Sequence, residues 1–322
     1  MKLIIQIPCF NEEKTLPATL DDLPEHIPGI DAIEIQIIND GSTDNTVEVA
    51  KKHSVDHIVS FRKNRGLAAA FKAGVDNAIE HGADILVNTD ADNQYRGADI
   101  PKLIEPILLG KAEIVVGCRP IDDHPEFSFT KKILQKIGSW VLRKVSNTTV
   151  RDAASGFRAY SRNAMLHVNI YSRFSYCMET LIQAGLNNLG VTGVDIGINP
   201  KTRDSRLFKS IPEYVWKQAK TMIGIFILYR ANLLFNALAS FFFLAGAALA
   251  LRYVFLVFLA GAPANAFWPS LIFSGVLMTI GVQIFLTGLI ASLVSSSRKL
   301  SEDLSFRIKK AEFDRSTRKE GF

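Results

Sequence analysis

Between Tyr253 and Ser297 the chain carries no Asp, Glu, Lys, Arg or His. That gap constrains the fold more than any other feature. A water-exposed helix pair of this length would place charge on its outer face. Two apolar segments frame the gap, 231–262 and 267–294, with a turn at Pro263 between them. Spanning a bilayer takes ~20 apolar residues. Both segments exceed that, and a buried core hairpin has no need of runs so long. Arg252 interrupts the first segment near its end, where a long cationic side chain can snorkel or face a partner helix. The stretch before it, IPEYVWKQAKTMIGIFILYR (211–230), mixes aromatic, basic and apolar residues like an amphipathic helix at a membrane surface.

Lys217, Lys220 and Arg230 precede the first segment, and Arg298, Lys299, Arg307, Lys309 and Lys310 follow the second. The turn between the segments is uncharged. The positive-inside rule therefore puts both ends of the chain, and the globular part, on the cytoplasmic side of an inner membrane. The expected organisation is a cytoplasmic globular domain over 1–210, an interfacial helix over 211–230, two membrane spans within 231–297 and a charged tail over 298–322. That tail reads as a short helix or a disordered end. The spans also offer a face for association into a homo-oligomer. The chain opens directly into the strand-like KLIIQI, so no signal peptide is expected.

The formal net charge of +5 fits membrane topology and lipid contact. The basic residues form no long stripe with interleaved aromatics, so nucleic acid is not an expected partner. The three cysteines, Cys9, Cys118 and Cys177, are far apart and form no CxxC. They suggest neither a thiolate metal site nor a disulfide framework, and they fit a reducing compartment. Neither GxGxxG nor GxxxxGK[ST] occurs, which disfavours dinucleotide and P-loop enzymes.

Over the first 210 residues, short apolar runs alternate with helical patterns. LIIQIP (3–8), IEIQII (33–38), HIVSF (57–61), DILVNT (84–89) and EIVVG (113–117) read as strands, brief, β-branched and bounded by turn residues. Helices are expected around Glu12–Leu23, Thr43–His53 and Gly66–His81. The alternation implies an α/β fold with a mostly parallel sheet and helices on both faces. Ligands of such sheets bind beyond the carboxyl ends of the strands. Polar groups follow four of the strands there: PCFNEE, NDGSTD, DADNQY and CRP.

The third of these sets is the most telling. Asp90, Ala91 and Asp92 end an apolar strand with two carboxylates one residue apart. Residues i and i+2 of an extended segment point the same way, so the two repel unless a cation lies between them. Converging carboxylates suit a hard divalent ion, Mg²⁺ or Mn²⁺, and Gln94 can add an oxygen. A solvated acidic turn would explain the pair alone, but not the polar loops beside it. Asp40 can accept hydrogen bonds from a base or ribose, or serve the turn at Gly41. Asn11 fits equally a ligand contact or a helix cap.

IPCFNEEKTL, IINDGSTDNT, NRGLAAAFKAG, NTDADNQY and DAASGFRAYSR occur in order. Together they resemble the family 2 glycosyltransferases with the GT-A fold, and most of all the polyprenyl-phosphate glycosyltransferases, both the dolichyl-phosphate mannose synthases and the bacterial membrane-anchored type. The resemblance covers about residues 1–210. It implies that Pro8, Phe10, Asn11, Glu12, Asp40 and Ala91 line the nucleotide-sugar pocket, and that Asp90, Asp92 and Gln94 hold the metal under the diphosphate. It implies that Arg119 faces the acceptor phosphate, with Lys131 and Lys132 as looser candidates and Ser155 in the acceptor-side loop. Arg203, Ser205 and Arg206 match a basic loop closing over the donor diphosphate. There the chain departs from the commoner pattern, with Asp204 for Gly and Arg206 for Lys. Phe10 replaces a frequent Tyr. Glu179 falls where other family 2 enzymes place a base, and a structural helix carboxylate explains it equally.

The resemblance implies inverting, metal-dependent transfer from a nucleoside-diphosphate sugar, a UDP-sugar before GDP-mannose, to a polyprenyl phosphate at the cytoplasmic membrane face. A processive polysaccharide synthase is disfavoured, because QxxRW is absent and two spans build no channel. A membrane-anchored transferase with another acceptor and a non-catalytic nucleotide-sugar-binding scaffold are the alternatives. The intact Asp90/Asp92 pair argues against the scaffold.

Overall fold

The computed structural model describes residues 1–120, 150–170, 176–200, 211–261 and 263–320. Its residues form two units, Met1–Thr221 with Leu304–Phe322, and Met222–Asp303.

The first unit is built on a seven-stranded sheet of order β3-β2-β1-β4-β6-β5-β7. The strands are β1 (Lys2–Cys9), β2 (Ala32–Asn39), β3 (His57–Ser60), β4 (Ile85–Asn88), β5 (Ile114–Cys118), β6 (Arg158–Ser161) and β7 (Val191–Asp195). All pairings are parallel except those of β6, which runs antiparallel to β4 and β5. The mostly parallel α/β sheet expected from the sequence is present. The sequence reading found β1 to β5 and passed over β6 and β7, which are short and paired only to distant strands.

The helices of this unit are α1 (Leu16–Asp21), α2 (Thr46–Lys52), α3 (Leu67–Glu80), α4 (Ile100–Leu108), α5 (Arg162–His167) and α6 (Tyr176–Leu186). One face of the sheet packs on α4 through Leu3, Ile5, Val87 and Val115, all fully buried. The other meets α3, whose Gly74 carbonyl accepts a hydrogen bond from Gln36 of β2.

Two long helices carry the apolar segments, α7 (Ile211–Val254) and α8 (Trp268–Glu320). Asn232–Leu259, which runs from α7 into a π-helical turn over Phe255–Leu259, and Trp268–Ala311 within α8 are long and apolar enough to cross a membrane. The interfacial segment expected at 211–230 is the first part of α7, without a break at its end. No proline follows Pro212 before Pro263 to interrupt it. In the second unit the helices approach at backbone distance. A Cβ placed on Gly281 would lie 2.9 Å from the Phe243 nitrogen and 3.0 Å from the Ala239 oxygen. Ser274 Oγ donates to the Gly246 carbonyl at 2.8 Å. Small residues at the crossing let the helices pack where lipid supplies no hydrophobic drive.

The end of α8 belongs to the first unit. Lys309 Nζ donates to the Val168 carbonyl at 2.8 Å, and Ser305 Oγ donates to Asn169 Oδ1 at 2.8 Å. Phe313 is buried beneath the Arg162 guanidinium. The charged tail is thus helical as far as residue 320, and its residues Ser305, Lys309 and Phe313 are seated on the globular fold.

Candidate active site

The loops after β1 and β2 are knitted to each other at the carboxyl edge of the sheet. Asn11 adopts φ +56°, a left-handed conformation that Asn tolerates better than most residues. Its Oδ1 accepts the Thr43 N–H at 2.8 Å, and its own N–H donates to Ser42 Oγ at 3.0 Å. Glu12 is buried; its N–H donates to Thr46 Oγ1 at 2.9 Å, and its carboxylate accepts from Thr15 Oγ1 at 2.8 Å. Asp40 is buried and accepts the N–H groups of Arg65 at 2.6 Å and Gly66 at 2.9 Å, just before α3 begins. These three side chains therefore fix the walls of the edge. Pro8 is half-buried in β1. Phe10 leaves its ring 40% exposed at the mouth.

β1 and β4 are neighbours, so the Asp90–Ala91–Asp92 turn stands beside that mouth. Ala91 is buried against Ile7, Cys9 and Leu16, while Asp90 and Asp92 are each half-buried. The apolar middle residue anchors inward, and the two carboxylates on either side of it stay partly exposed. Asp92 Oδ1 accepts the Gln94 N–H at 3.2 Å, and Asn93 takes φ +54°. The Gln94 carbonyl accepts the Asn199 N–H at 2.9 Å. That bond brings the chain after β7 to the turn just before the basic loop holding Arg203, Ser205 and Arg206. Those three residues, and Lys131 and Lys132, lie outside the described residues.

The donor set fits a hard divalent cation. Two carboxylates on one turn, with a side-chain amide nearby, match Mg²⁺ or Mn²⁺ bound through few protein oxygens and completed by substrate phosphates. Among the described residues no group of three or more His, Cys, Asp or Glu forms a fuller cage.

The far side of the turn is closed by the loop 152–157. A Cβ on Gly156 would lie 3.2 Å from Asp90 Oδ1. Tyr95 braces this loop, its hydroxyl accepting the Gly156 N–H at 3.2 Å. Burial pushes the Tyr95 hydroxyl up to about 12, which keeps it neutral. Arg119 follows β5 and grips Asp152 bidentately, Nε to Oδ2 at 2.7 Å and Nη2 to Oδ1 at 3.1 Å. The Asp152 side chain is fully buried, and that of Arg119 keeps 17% of its surface exposed. Burial opposes the charge on Arg119, but the Asp152 and Asp90 carboxylates outweigh it and raise its pKa. Ser155 is fully buried, and its hydroxyl accepts the Phe157 N–H at 3.3 Å, shaping the loop from inside. Glu179 is buried in α6, three residues after Tyr176. Burial raises the Tyr176 hydroxyl well above its ordinary value, with Cys177 and Asp90 adding to the effect.

Sequence reasoning did not single out Asn88, Tyr95, Asp152, Arg158 or Tyr176. Asp152 and Arg158 bracket the AASGF run, and that symmetry was their one visible signal.

Residues 4–168 match the model of the family described as glycosyl transferase family 2. The UDP-N-acetylglucosamine–dolichyl-phosphate N-acetylglucosaminyltransferase of Methanococcus voltae is 31% identical over 252 residues, covering 71% of this chain and 94% of the relative. The undecaprenyl-phosphate mannosyltransferase of Micrococcus luteus is 27% identical over 176 residues, covering 53% of this chain and 70% of the relative. The solved structure of glucosyl-3-phosphoglycerate synthase from Mycobacterium tuberculosis, in complex with Mn²⁺, UDP-glucose and phosphoglyceric acid, shares the fold. Its TM-score is 0.54 at 18% identity, covering 70% of this chain and 78% of that one. With the sheet order, the acidic turn at its carboxyl edge and a family match over half its length, the chain belongs to the glycosyl transferase family 2 enzymes.

Proposed function

We propose that this enzyme transfers a sugar from a nucleoside-diphosphate sugar, UDP-linked before GDP-mannose, to a polyprenyl phosphate at the cytoplasmic face of a membrane. One observation carries the reading: a single chain combines the Asp90/Asp92 edge with two helices long and apolar enough to cross a bilayer. A polyprenyl phosphate keeps its tail in lipid and its head at the interface, so its enzyme must work there. The names of the relatives, which act on dolichyl and undecaprenyl phosphate, support the same acceptor class.

In this reading Pro8, Phe10, Asn11, Glu12 and Asp40 shape the nucleotide pocket. Asp90 and Asp92, with Gln94, hold Mg²⁺ or Mn²⁺, which when bound neutralises charge on the leaving diphosphate. Arg203, Ser205 and Arg206 close over the same group. Arg119, anchored by Asp152, faces the acceptor phosphate with Lys131, Lys132 and Ser155, and Glu179 stands where other family 2 enzymes place a base. The lipid phosphate is already anionic at neutral pH, so no base need remove its proton. Its oxygen bonds to the anomeric carbon as the bond from that carbon to the diphosphate oxygen breaks. A single in-line displacement inverts the centre. The protein's own work is positioning, charge neutralisation and exclusion of water.

The test is transfer from labelled UDP- and GDP-sugars into undecaprenyl phosphate, with full-length protein in detergent and Mg²⁺ or Mn²⁺. Label is expected in the lipid phase from one donor and is lost with EDTA. Asp92→Ala should lower the rate about 10³-fold or more while the protein stays folded. If nucleotide binds and no donor labels the lipid, the acceptor assignment is wrong. A fully active Asp92→Ala would remove the metal role.

A further inference from the structure

On the α3 side of the sheet a row of polar side chains crosses four strands. Gln36 on β2, Gln6 on β1 and Asn88 on β4 stand in register, and Arg158 on β6 pairs with Asn88. All four are fully buried. The bonds of Gln36, Gln6 and Asn88 form a continuous chain. Asn77 Nδ2 donates to Gln36 Oε1 at 2.7 Å. Gln36 Nε2 donates to Gln6 Oε1 at 3.2 Å and to the Gly74 carbonyl at 2.8 Å. Gln6 Nε2 donates to Asn88 Oδ1 at 2.7 Å.

The row ends at the site. Asn88 Nδ2 donates to the Gly156 carbonyl at 2.8 Å and to the Tyr176 hydroxyl at 2.9 Å. Arg158 donates to the Ala153 and Ser155 carbonyls, each at 2.8 Å, and to the Cys177 carbonyl and Thr180 Oγ1 at 2.7 and 2.9 Å. Two buried side chains thus tie the loop 152–157 to the start of α6. Gly156 is the point of contact with Asp90, since a Cβ there would stand 3.1 Å from the Tyr176 hydroxyl and 3.2 Å from Asp90 Oδ1. Apolar residues would fill this volume without the desolvation that four polar groups incur. A fully satisfied polar network does what they cannot: it specifies one geometry.

We infer that Asn88 is a positioning residue for transfer, holding Gly156 and Tyr176 so that the acceptor-side loop fixes Asp90 at the metal turn. The inference rests on the function proposed above. Its test compares full-length Asn88→Leu, Gln36→Leu and Tyr176→Phe with wild type in three measurements: transferase kcat and KM, Mn²⁺ affinity in the presence of UDP by electron paramagnetic resonance, and thermal unfolding. Asn88→Leu should lower both kcat and Mn²⁺ affinity by ~10–100-fold, the range for residues that orient metal ligands. Gln36→Leu, equally buried at the far end of the row, should change either by less than ~3-fold.

Wild-type kcat and Mn²⁺ affinity in Asn88→Leu would overturn the inference. So would an equal loss in Gln36→Leu, which would make the row structural only. Should Asn88→Leu fail to fold, Tyr176→Phe decides. It keeps the ring stacked on Phe71 at 4.0 Å and removes the hydroxyl that Asn88 meets, so unchanged kcat and Mn²⁺ affinity there would refute the role. If wild type transfers no sugar to the lipid, the proposed function fails by itself, and the Mn²⁺ titration alone judges Asn88.

Discussion

The two faces of the sheet differ in the polar side chains they bury at the same depth. Toward α4 the strands present Leu3, Ile5, Ile85, Val87, Val115 and Ala159. Toward α3 and α6, strands β1, β2, β4 and β6 present Gln6, Gln36, Asn88 and Arg158, each fully buried, beside the apolar Ile4, Ile38 and Leu86. Depth therefore does not explain the difference; what each face must hold does. The α4 face needs volume and apolar area, worth about 25 cal/mol per Å² removed from water. The opposite face must hold a loop and a helix end in register with Asp90, and only directional bonds do that.

Exchanging the character of adjacent β1 residues tests the contrast most severely. Ile5→Gln would remove an aliphatic side chain from the α4 face and bury an amide there among hydrocarbon. Lost transfer energy of about 1.5–3 kcal/mol adds to about 1–3 kcal/mol for unsatisfied polar groups. Gln6→Leu, one residue on, should cost only ~1–3 kcal/mol: Gln36 Nε2 keeps the Gly74 carbonyl, Asn88 Nδ2 keeps Gly156 and Tyr176, and Asn88 Oδ1 loses the bond from Gln6. Thermal melts of both variants in one detergent give the order. Equal losses would mean that the two faces do not differ in kind.

A smaller effect sharpens the same point. Gly74 lies inside α3, where Ala would ordinarily stabilise a helix by ~1 kcal/mol. Here a Cβ would stand 2.1 Å from Gln6 Oε1. Gly74→Ala should instead destabilise by ~1–3 kcal/mol, because Gln6 must leave its bonds to make room. Combining it with Gln6→Ala should recover part of that loss. A plain gain in melting temperature for Gly74→Ala alone would show that α3 does not press on the row.

Much of this was legible in the sequence, and the boundary is physical. β1, β2, β4 and β5 are apolar runs ended by turn residues, so their positions follow from local pattern. α4 was not expected; its Pro101 sits in the first turn, where a missing N–H is harmless. β6 and β7 were invisible because RAYS and VTGVD carry little pattern of their own and are strands only through distant partners. The side chains Asn11 and Asp40 stood out, but only contacts to Thr43, Arg65 and Gly66 show what they hold. Gln6 and Asn88 were each visible as a polar residue in an apolar run, and Gln36 as one of two beside Glu34. A register shared by three strands was needed to make them a row.

Asp99 gives the smallest predicted effect and shows how the α4 side handles a charge at its perimeter. It is buried just before α4, with Oδ2 accepting the Gly197 N–H at 2.7 Å and Oδ1 receiving Lys102 Nζ at 2.8 Å. Burial opposes its charge, but Lys102 and the Gly197 N–H hold the carboxyl below its ordinary 3.8. A depressed folded value means that the stabilisation is complete above the unfolded pKa and fades as pH falls through the folded one. Asp99→Asn keeps the shape and removes the charge. At pH 7 it should cost no more than ~1 kcal/mol, because Lys102 is 65% exposed and its pairing is screened. The gap between wild type and variant should close as pH falls below the ordinary carboxylate range and narrow in high salt. A gap that stays constant into acid would mean that Asp99 contributes by shape alone. The α4 side would then hold no working charge, and the two faces of the sheet would differ more completely than the bonds of Asp99 imply.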